Sequence, residues 1–261
     1  MQIETSEITY LNQTLHIEYF LRKGEKQILL YLHGLGCSKN DFIGAVKREE
    51  LKDYTLASFD FPGCGHSPYP ENRDLGIDDL VEITKIMVLE LSLNNLVIIG
   101  HSMGGLIGLL YIKRYGKDTK AFINVEGNLA PKDCMFSREV TEPSFREFRE
   151  EVFPNLKKKL FRSENRGFKK YAETLEKYSS PKAFFDYSPS LVDYSDHGDL
   201  ISLFNELKIP KIFIHGSENR WLPHIKKLSC KVIEIPNSNH FPFYDNPEEF
   251  YGAVFEFLEK I

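Results

Sequence analysis

The chain is poor in closely spaced cysteines. Its four, Cys37, Cys64, Cys134 and Cys230, lie far apart and form no C-x-x-C. That excludes a dense disulfide framework and points to reduced thiols in a cytoplasmic protein. No apolar run approaches the ~20 residues of a membrane span. The opening stretch MQIETSEITYLNQ is polar and acidic, so no secretory signal is expected there. Basic residues are also outnumbered: 33 Lys and Arg face 38 Asp and Glu, for a net charge of −5. There is therefore no bulk electrostatic case for nucleic acid or an anionic membrane as a partner. No H-x-H or H-E-x-x-H spacing suggests a metal. The glycines of GCGHS, residues 63 to 67, are followed by no G-K-[ST] and complete no G-x-G-x-x-G. A tight structural turn is the better reading than a phosphate loop. There is no internal repeat and no low-complexity linker.

What is present is an alternation of strand and helix signals. ITYL, LHIEYFL, ILLYLH and TLASFD read as successive strands, and the nearly continuous apolar ILLYLH as a central one. Residues 75 to 93 place Leu80, Ile83, Met87 and Leu91 at helical spacing. LVIIG is a buried strand, MGGLIGLLYIKRYG a helix ending near Gly116, and KAFINVEG another buried strand. From about 128 to 200 the chain turns charged, aromatic and helix-patterned. The βα rhythm returns with KIFIHGS, a helix expected at 221–229, KVIEIP, and a last helix from about 247. This predicts an α/β fold with a mostly parallel sheet flanked by helices. Residues 1–127 and 201–261 would form the core and residues 128–200 an inserted helical cap. The charge run NLKKKLFRSENRGFKK is best taken as the solvated face of cap helices.

Three stretches carry chemistry. Gly100-His101-Ser102-Met103-Gly104 fits G-x-S-x-G between a buried strand and a helix. A serine on so sharp a turn exposes its Oγ above the sheet, and small flanking residues let the neighbouring backbones pass. The N–H of Met103 then points from a helix N-terminus at a developing oxyanion. His33-Gly34-Leu35-Gly36 ends the presumed central strand, and its turn can aim the Leu35 N–H at the same oxygen. A serine nucleophile needs a base. Of the eight histidines, His240 follows the last strand, at the carboxyl edge where sites form in open α/β sheets. His101 is expected to pack beside the elbow, His33 to support its turn, and His215 to be buried in a strand.

Taken together, HGLG, DFPGCGHS, GHSMGG and NHFPFYDNPEEF, in that order, resemble the α/β-hydrolase fold superfamily. The resemblance runs from about residue 6 to the C-terminus. It implies Ser102 as nucleophile, Leu35 and Met103 N–H groups as oxyanion hole, His240 as base, and a cap between KAFINVE and KIFIHGS.

The chain departs from the common pattern at the acid. After KIFIH one expects G-x-x-D, and this chain has Gly216-Ser217-Glu218-Asn219. A neutral amide at that place would leave the base without its anionic partner. Two carboxylates qualify, Glu218 one residue away and Glu126 at the end of the strand next to the nucleophile strand. Glu126 is favoured, because an acid ending an apolar strand is costly to bury without a partner. Some members of the superfamily, haloalkane dehalogenases among them, carry the acid after that strand.

The expected activity is cleavage of an ester or related acyl bond through an acyl-enzyme on Ser102, with no cofactor and no metal. The cap aromatics Phe145, Phe148, Phe153, Phe161, Phe184 and Phe185 suggest an apolar small-molecule acyl substrate, unless they only pack the cap on the core. Alternatives are a ligand-binding or receptor-like protein that has lost turnover, which Asn219 favours, and a carbon–carbon bond hydrolase or cofactor-free haloperoxidase. Dehalogenases and epoxide hydrolases use an aspartate nucleophile, which Ser102 argues against.

Overall fold

The computed structural model describes residues 1–261. Eight strands, β1 (Gln2–Tyr10), β2 (Gln13–Arg22), β3 (Ile28–Leu32), β4 (Thr55–Phe59), β5 (Leu96–His101), β6 (Thr119–Val125), β7 (Lys211–Gly216) and β8 (Lys231–Ile235), make one sheet. Their order is β1-β2-β4-β3-β5-β6-β7-β8. β1 and β2 pair antiparallel across a two-residue turn, Leu11 and Asn12, both at positive φ. That is the conformation a two-residue hairpin needs to match the strand twist. β2 also runs antiparallel to β4. The strands from β4 to β8 are mutually parallel. β4 and β5 are buried at every residue and β3 at all but its first, as their apolar sequences require.

The first long helix, Ile77–Glu90, turns Leu80, Ile83 and Met87 inward. Leu91 falls just past its end and is half-buried. The second, Met103–Tyr115, is buried over nearly its whole length behind the sheet. Between β6 and β7 no strand is added. Short turns lead into a helical run made of Phe145–Glu147, the π-helix Phe148–Val152 and Phe153–Phe161, then into helices Arg166–Tyr178 and Pro181–His197, and Leu200–Glu206 returns the chain to β7. This helical stretch has no core of its own. Phe148, Phe153, Phe184 and Tyr187 join one cluster of 70 buried residues that also contains the strands. Its lysines face outward and are partly neutralised by neighbouring acids, as Lys157 is by Glu176 and Lys170 by Glu173.

One expected helix is smaller than its sequence suggests. Residues 221–229 contain only a 3-10 turn, Pro223–Lys227. Only Leu222, His224 and Ile225 of that stretch are buried, too few for an amphipathic face. Asn205 closes the turn, accepting from the Ser229 N–H at 2.7 Å and donating to the Lys227 carbonyl at 2.9 Å.

All four cysteines are unpaired. No helix is long and apolar enough to cross a membrane.

Candidate active site

The serine turn is as tight as G-x-S-x-G implies. Ser102 sits at φ 52, ψ −122 and caps the helix Met103–Tyr115. A non-glycine residue in such a conformation costs on the order of 1–3 kcal/mol. The flanking glycines make the turn possible. A Cβ on Gly100 would lie 2.4 Å from the Gly104 carbonyl oxygen, and one on Gly104 would lie 2.2 Å from that of Leu32. The Ser102 N–H is held by the Val125 carbonyl at 3.0 Å, so the elbow is pinned to the end of β6.

Above the sheet edge, Ser102 and His240 line one cavity with Gly34, Leu35, His101 and Asn128. The Met103 N–H, first in its helix, has no intrahelical acceptor. Neither it nor the Leu35 N–H is among the loop and turn donors that find a carbonyl. The Leu35 turn is held from two sides. His33 accepts from the Phe61 N–H at Nε2 (3.0 Å) and so donates from Nδ1 to the Gly34 carbonyl (2.8 Å). Burial lowers the pKa of His33 to about 4, which keeps it neutral in that role. From the other side Tyr171 donates to the Leu35 carbonyl at 2.8 Å.

His240 is positioned through its backbone. His101 Nε2 lies 2.8 Å from the His240 carbonyl and must donate to it. The two rings approach to 4.9 Å between centroids. Burial drives the pKa of His101 well down, with the neighbouring His240 adding to the effect. His101 therefore does more than pack. The Asn239 carbonyl Oδ1 accepts from the His240 N–H at 2.8 Å, and Asp245 Oδ2 accepts from the Asn239 N–H at 2.9 Å. Asp245 Oδ1 also takes the Gly167 N–H at 2.7 Å, which ties the histidine loop to the helix Arg166–Tyr178.

The carboxylate facing His240 is Glu126, whose Oε2 lies 3.5 Å from His240 Nδ1. Glu126 ends β6 at φ 50, a left-handed conformation, with its N–H bonded to the Ile214 carbonyl at 2.9 Å. That turns the side chain across to β7. There Oε1 accepts from the Gly216 N–H at 2.6 Å, and Asn219 Nδ2 donates to both oxygens at 3.1 Å. The amide at the usual acid position thus holds the carboxylate that faces the histidine. Glu218 is directed elsewhere, accepting from Asn239 Nδ2 at 2.7 Å. It does not meet His240.

Several lining residues carry no clear sequence signal. Asn128, Asp133, Met135, Phe136, Ser137, Tyr171, Leu191 and Phe241 complete the cavity. Only Asn128, two residues beyond Glu126, was findable by position. The six cap phenylalanines, read either as a hint of an apolar substrate or as packing of the cap on the core, are not among the lining. Phe148, Phe153 and Phe184 are buried in the packing of the cap, and Phe161 is exposed. Cys37 lines the cavity as a protonated thiol, its pKa pushed far up by burial. The Asp133 side chain is only 5% exposed, and this burial raises its pKa to about 7 even though its Oδ2 accepts from the Leu129 and Ala130 N–H groups.

A second cluster of ligand-type side chains, Glu18, Asp60 and His66, lies apart from this cavity. The buried Lys39 ammonium already fills it, bonding Asp60 at 2.8 Å and also Glu18. The GCGHS turn wraps Asp60, which accepts from the His66 N–H at 3.0 Å, so that turn is structural.

Comparison with known proteins agrees with this architecture. The curated protein named "Putative esterase/lipase 2" from Mycoplasma genitalium is 24% identical over 264 residues, covering 93% of this chain and 92% of the relative. "Putative esterase/lipase 1" from Mycoplasma pneumoniae is 24% identical over 82% of this chain and 85% of the relative. Among solved structures, a thermophilic esterase from Thermogutta terrifontis superposes with a TM-score of 0.80 at 16% identity, covering 100% of this chain and 99% of that one. An esterase from Exiguobacterium antarcticum gives 0.77 at 17% identity over 94% and 96%. A family model for the alpha/beta hydrolase fold matches residues 27–247. On that match, spanning most of its length, this chain belongs to the alpha/beta hydrolase fold family.

Proposed function

We propose that the protein is a serine hydrolase that cleaves a carboxylic ester or related acyl bond through an acyl-enzyme on Ser102. The observation carrying this reading is the strained Ser102 elbow sharing a cavity with His240, whose Nδ1 faces a buried carboxylate. With Nδ1 turned to Glu126, Nε2 is the ring nitrogen left to take the Ser102 proton. The hydroxyl oxygen attacks the carbonyl carbon as that proton leaves. The Leu35 and Met103 N–H groups stabilise the negative oxygen of the tetrahedral adduct. The imidazolium, balanced by Glu126, then protonates the leaving alkoxide. Water, deprotonated by the same nitrogen, releases the acid and restores the serine.

In this reading residues 128–200 act as a cap whose helices roof the cavity, and residues 1–127 and 201–261 as the catalytic core. The cap bears on the oxyanion turn through Tyr171 to Leu35, and on the structural turn after β4 through Tyr187 to the Pro62 carbonyl at 2.6 Å. The free space in the cavity is ≈ 20 Å³, about enough for one water molecule. Short acyl groups are therefore the preferred substrates, and longer ones require Phe136 or Met135 to move aside. The esterase/lipase names of the relatives support an acyl substrate of this kind. The rival reading, a receptor-like protein without turnover, drew on Asn219 as a missing acid. With Asn219 donating to Glu126, that feature favours the rival no longer.

The test is hydrolysis of p-nitrophenyl acetate, butyrate, octanoate and palmitate by the wild type and Ser102→Ala. Turnover of the short esters that vanishes in the variant is the expected result. Equal rates in two folded proteins would end the proposal for these esters.

A further inference from the structure

Asn128 shares with the His101 and His240 rings a polar atom that the cavity leaves without a hydrogen-bond partner, and its own is a carbonyl oxygen. The residue is 1% exposed, yet its Oδ1 accepts no hydrogen bond. The amide nitrogen is turned away, 3.7 Å from Cys134 Sγ. The backbone N–H of Asn128 donates to the Ser102 carbonyl at 3.4 Å, which holds the residue directly beside the nucleophile. A buried carbonyl oxygen without a donor carries an uncompensated desolvation penalty. Native proteins rarely leave one so without a reason.

The polar groups of the wall whose bonds are seen are engaged elsewhere. The Tyr171 hydroxyl is spent on the Leu35 carbonyl, and Asp133 Oδ2 on two N–H groups. Asp133 Oδ1 faces His224 Nε2 at 3.6 Å. Leu35, Phe136, Leu191 and Phe241 are apolar. Asn128 Oδ1 therefore lies buried beside Ser102 with no protein hydrogen bond in this structure, although the Ser137 hydroxyl and the Cys37 thiol also line the cavity.

We propose that Asn128 is a specificity-determining residue, and that the preferred substrates are short esters bearing a hydroxyl or N–H donor close to the scissile carbonyl. The proposal rests on the serine-hydrolase reading and narrows its substrate class. On binding, the substrate donor meets Asn128 Oδ1 and removes the penalty of the unpaired oxygen. An ester with that donor methylated leaves the oxygen unpaired and adds a methyl group to a cavity of ≈ 20 Å³. Discrimination by such a polar group exceeds what an apolar wall achieves against an added methylene.

The experiment compares kcat/KM within two matched pairs: 2-hydroxyethyl against 2-methoxyethyl acetate, and methyl glycolate against methyl methoxyacetate. The first pair places the donor on the alcohol, the second on the acyl group. Wild type, Asn128→Val and Asn128→Asp are assayed. Because each ratio is taken within one protein, the amount of folded enzyme cancels. The hydroxyl member of at least one pair is expected to be favoured about 5- to 100-fold in the wild type. That ratio should fall by most of its value in Asn128→Val and persist in Asn128→Asp, which keeps the acceptor. A wild-type ratio near one in both pairs, or a ratio unchanged in Asn128→Val, would overturn the proposal while Ser102-dependent turnover remained. Should Asn128→Val not fold, the wild-type ratio and Asn128→Asp decide it. Absence of any Ser102-dependent turnover would overturn the hydrolase reading itself, and this proposal with it.

Discussion

Replacing Glu126 by glutamine tests the core of the proposed mechanism, and the hydrogen bonds around it dictate how the replacement acts. The Gly216 N–H, 2.6 Å from Oε1, can only donate. The new amide must therefore keep its oxygen there and turn its NH₂ toward the place Oε2 now occupies. That place is 3.5 Å from His240 Nδ1 and 3.1 Å from the Asn219 amide nitrogen. Facing an NH₂ group, His240 Nδ1 becomes the acceptor and the ring proton moves to Nε2. A protonated Nε2 cannot accept the Ser102 proton. In serine proteases the same tautomer error, with the site geometry intact, costs ~10⁴ in kcat. At about 1.4 kcal/mol per factor of ten this is roughly 5 kcal/mol of transition-state stabilisation. The assay is p-nitrophenyl acetate hydrolysis at saturating substrate, with unfolding in urea as a control for the lost hydrogen bond. Glu126→Gln should lose between ~10² and ~10⁴ in kcat with KM little changed, whereas Glu218→Gln should stay within about twofold of wild type. A Glu126→Gln enzyme within about tenfold of wild type would refute the reasoning, as would a loss of the same size on replacing Glu218.

Two further perturbations follow from the cavity wall. The carboxyl of Asp133 titrates at about 7 in the folded protein, against an ordinary 3.8, because it is buried. A raised folded pKa means the folded state holds the proton longer. This contribution to stability is complete below pH ~4 and is lost as the pH rises toward 7. Asp133→Asn can still accept from Leu129 and Ala130, so its stability relative to wild type should rise between pH 4 and pH 8. Urea midpoints that move in parallel across that range would contradict this. Phe136, whose ring centroid lies 6.4 Å from that of His240 and 5.4 Å from that of Tyr171, limits the cavity. Phe136→Ala should raise the octanoate-to-acetate ratio of kcat/KM by about tenfold or more. An unchanged ratio would mean that longer chains are excluded elsewhere.

The sequence was most informative where short-range rules apply. G-x-S-x-G between an apolar strand and a helix leaves one way for the backbone to turn, and the strain at Ser102 is local to five residues. The apolar runs of β3 to β6 announce a buried parallel sheet because strands covered on both faces need apolar residues on both. That His240 would lie at the carboxyl edge of the sheet, in the cavity with Ser102, was legible from its place after the last strand. The partner of that histidine was not decided locally. Glu126 and Glu218 follow different strands, β6 and β7, and each by sequence falls near the same sheet edge. What selects Glu126 is a left-handed backbone at the end of β6, together with donors from Gly216 and Asn219 that are 90 or more residues away. Such long-range hydrogen bonds leave no periodic trace in the chain. The same holds for the cavity wall. Aromatic content could not distinguish Phe136, which lines the site, from Phe148 and Phe184, which pack the cap, because both fates suit a phenylalanine. Only the docking of the cap onto the sheet edge separates them, as it alone leaves Asn128 buried beside Ser102 with an oxygen awaiting a donor.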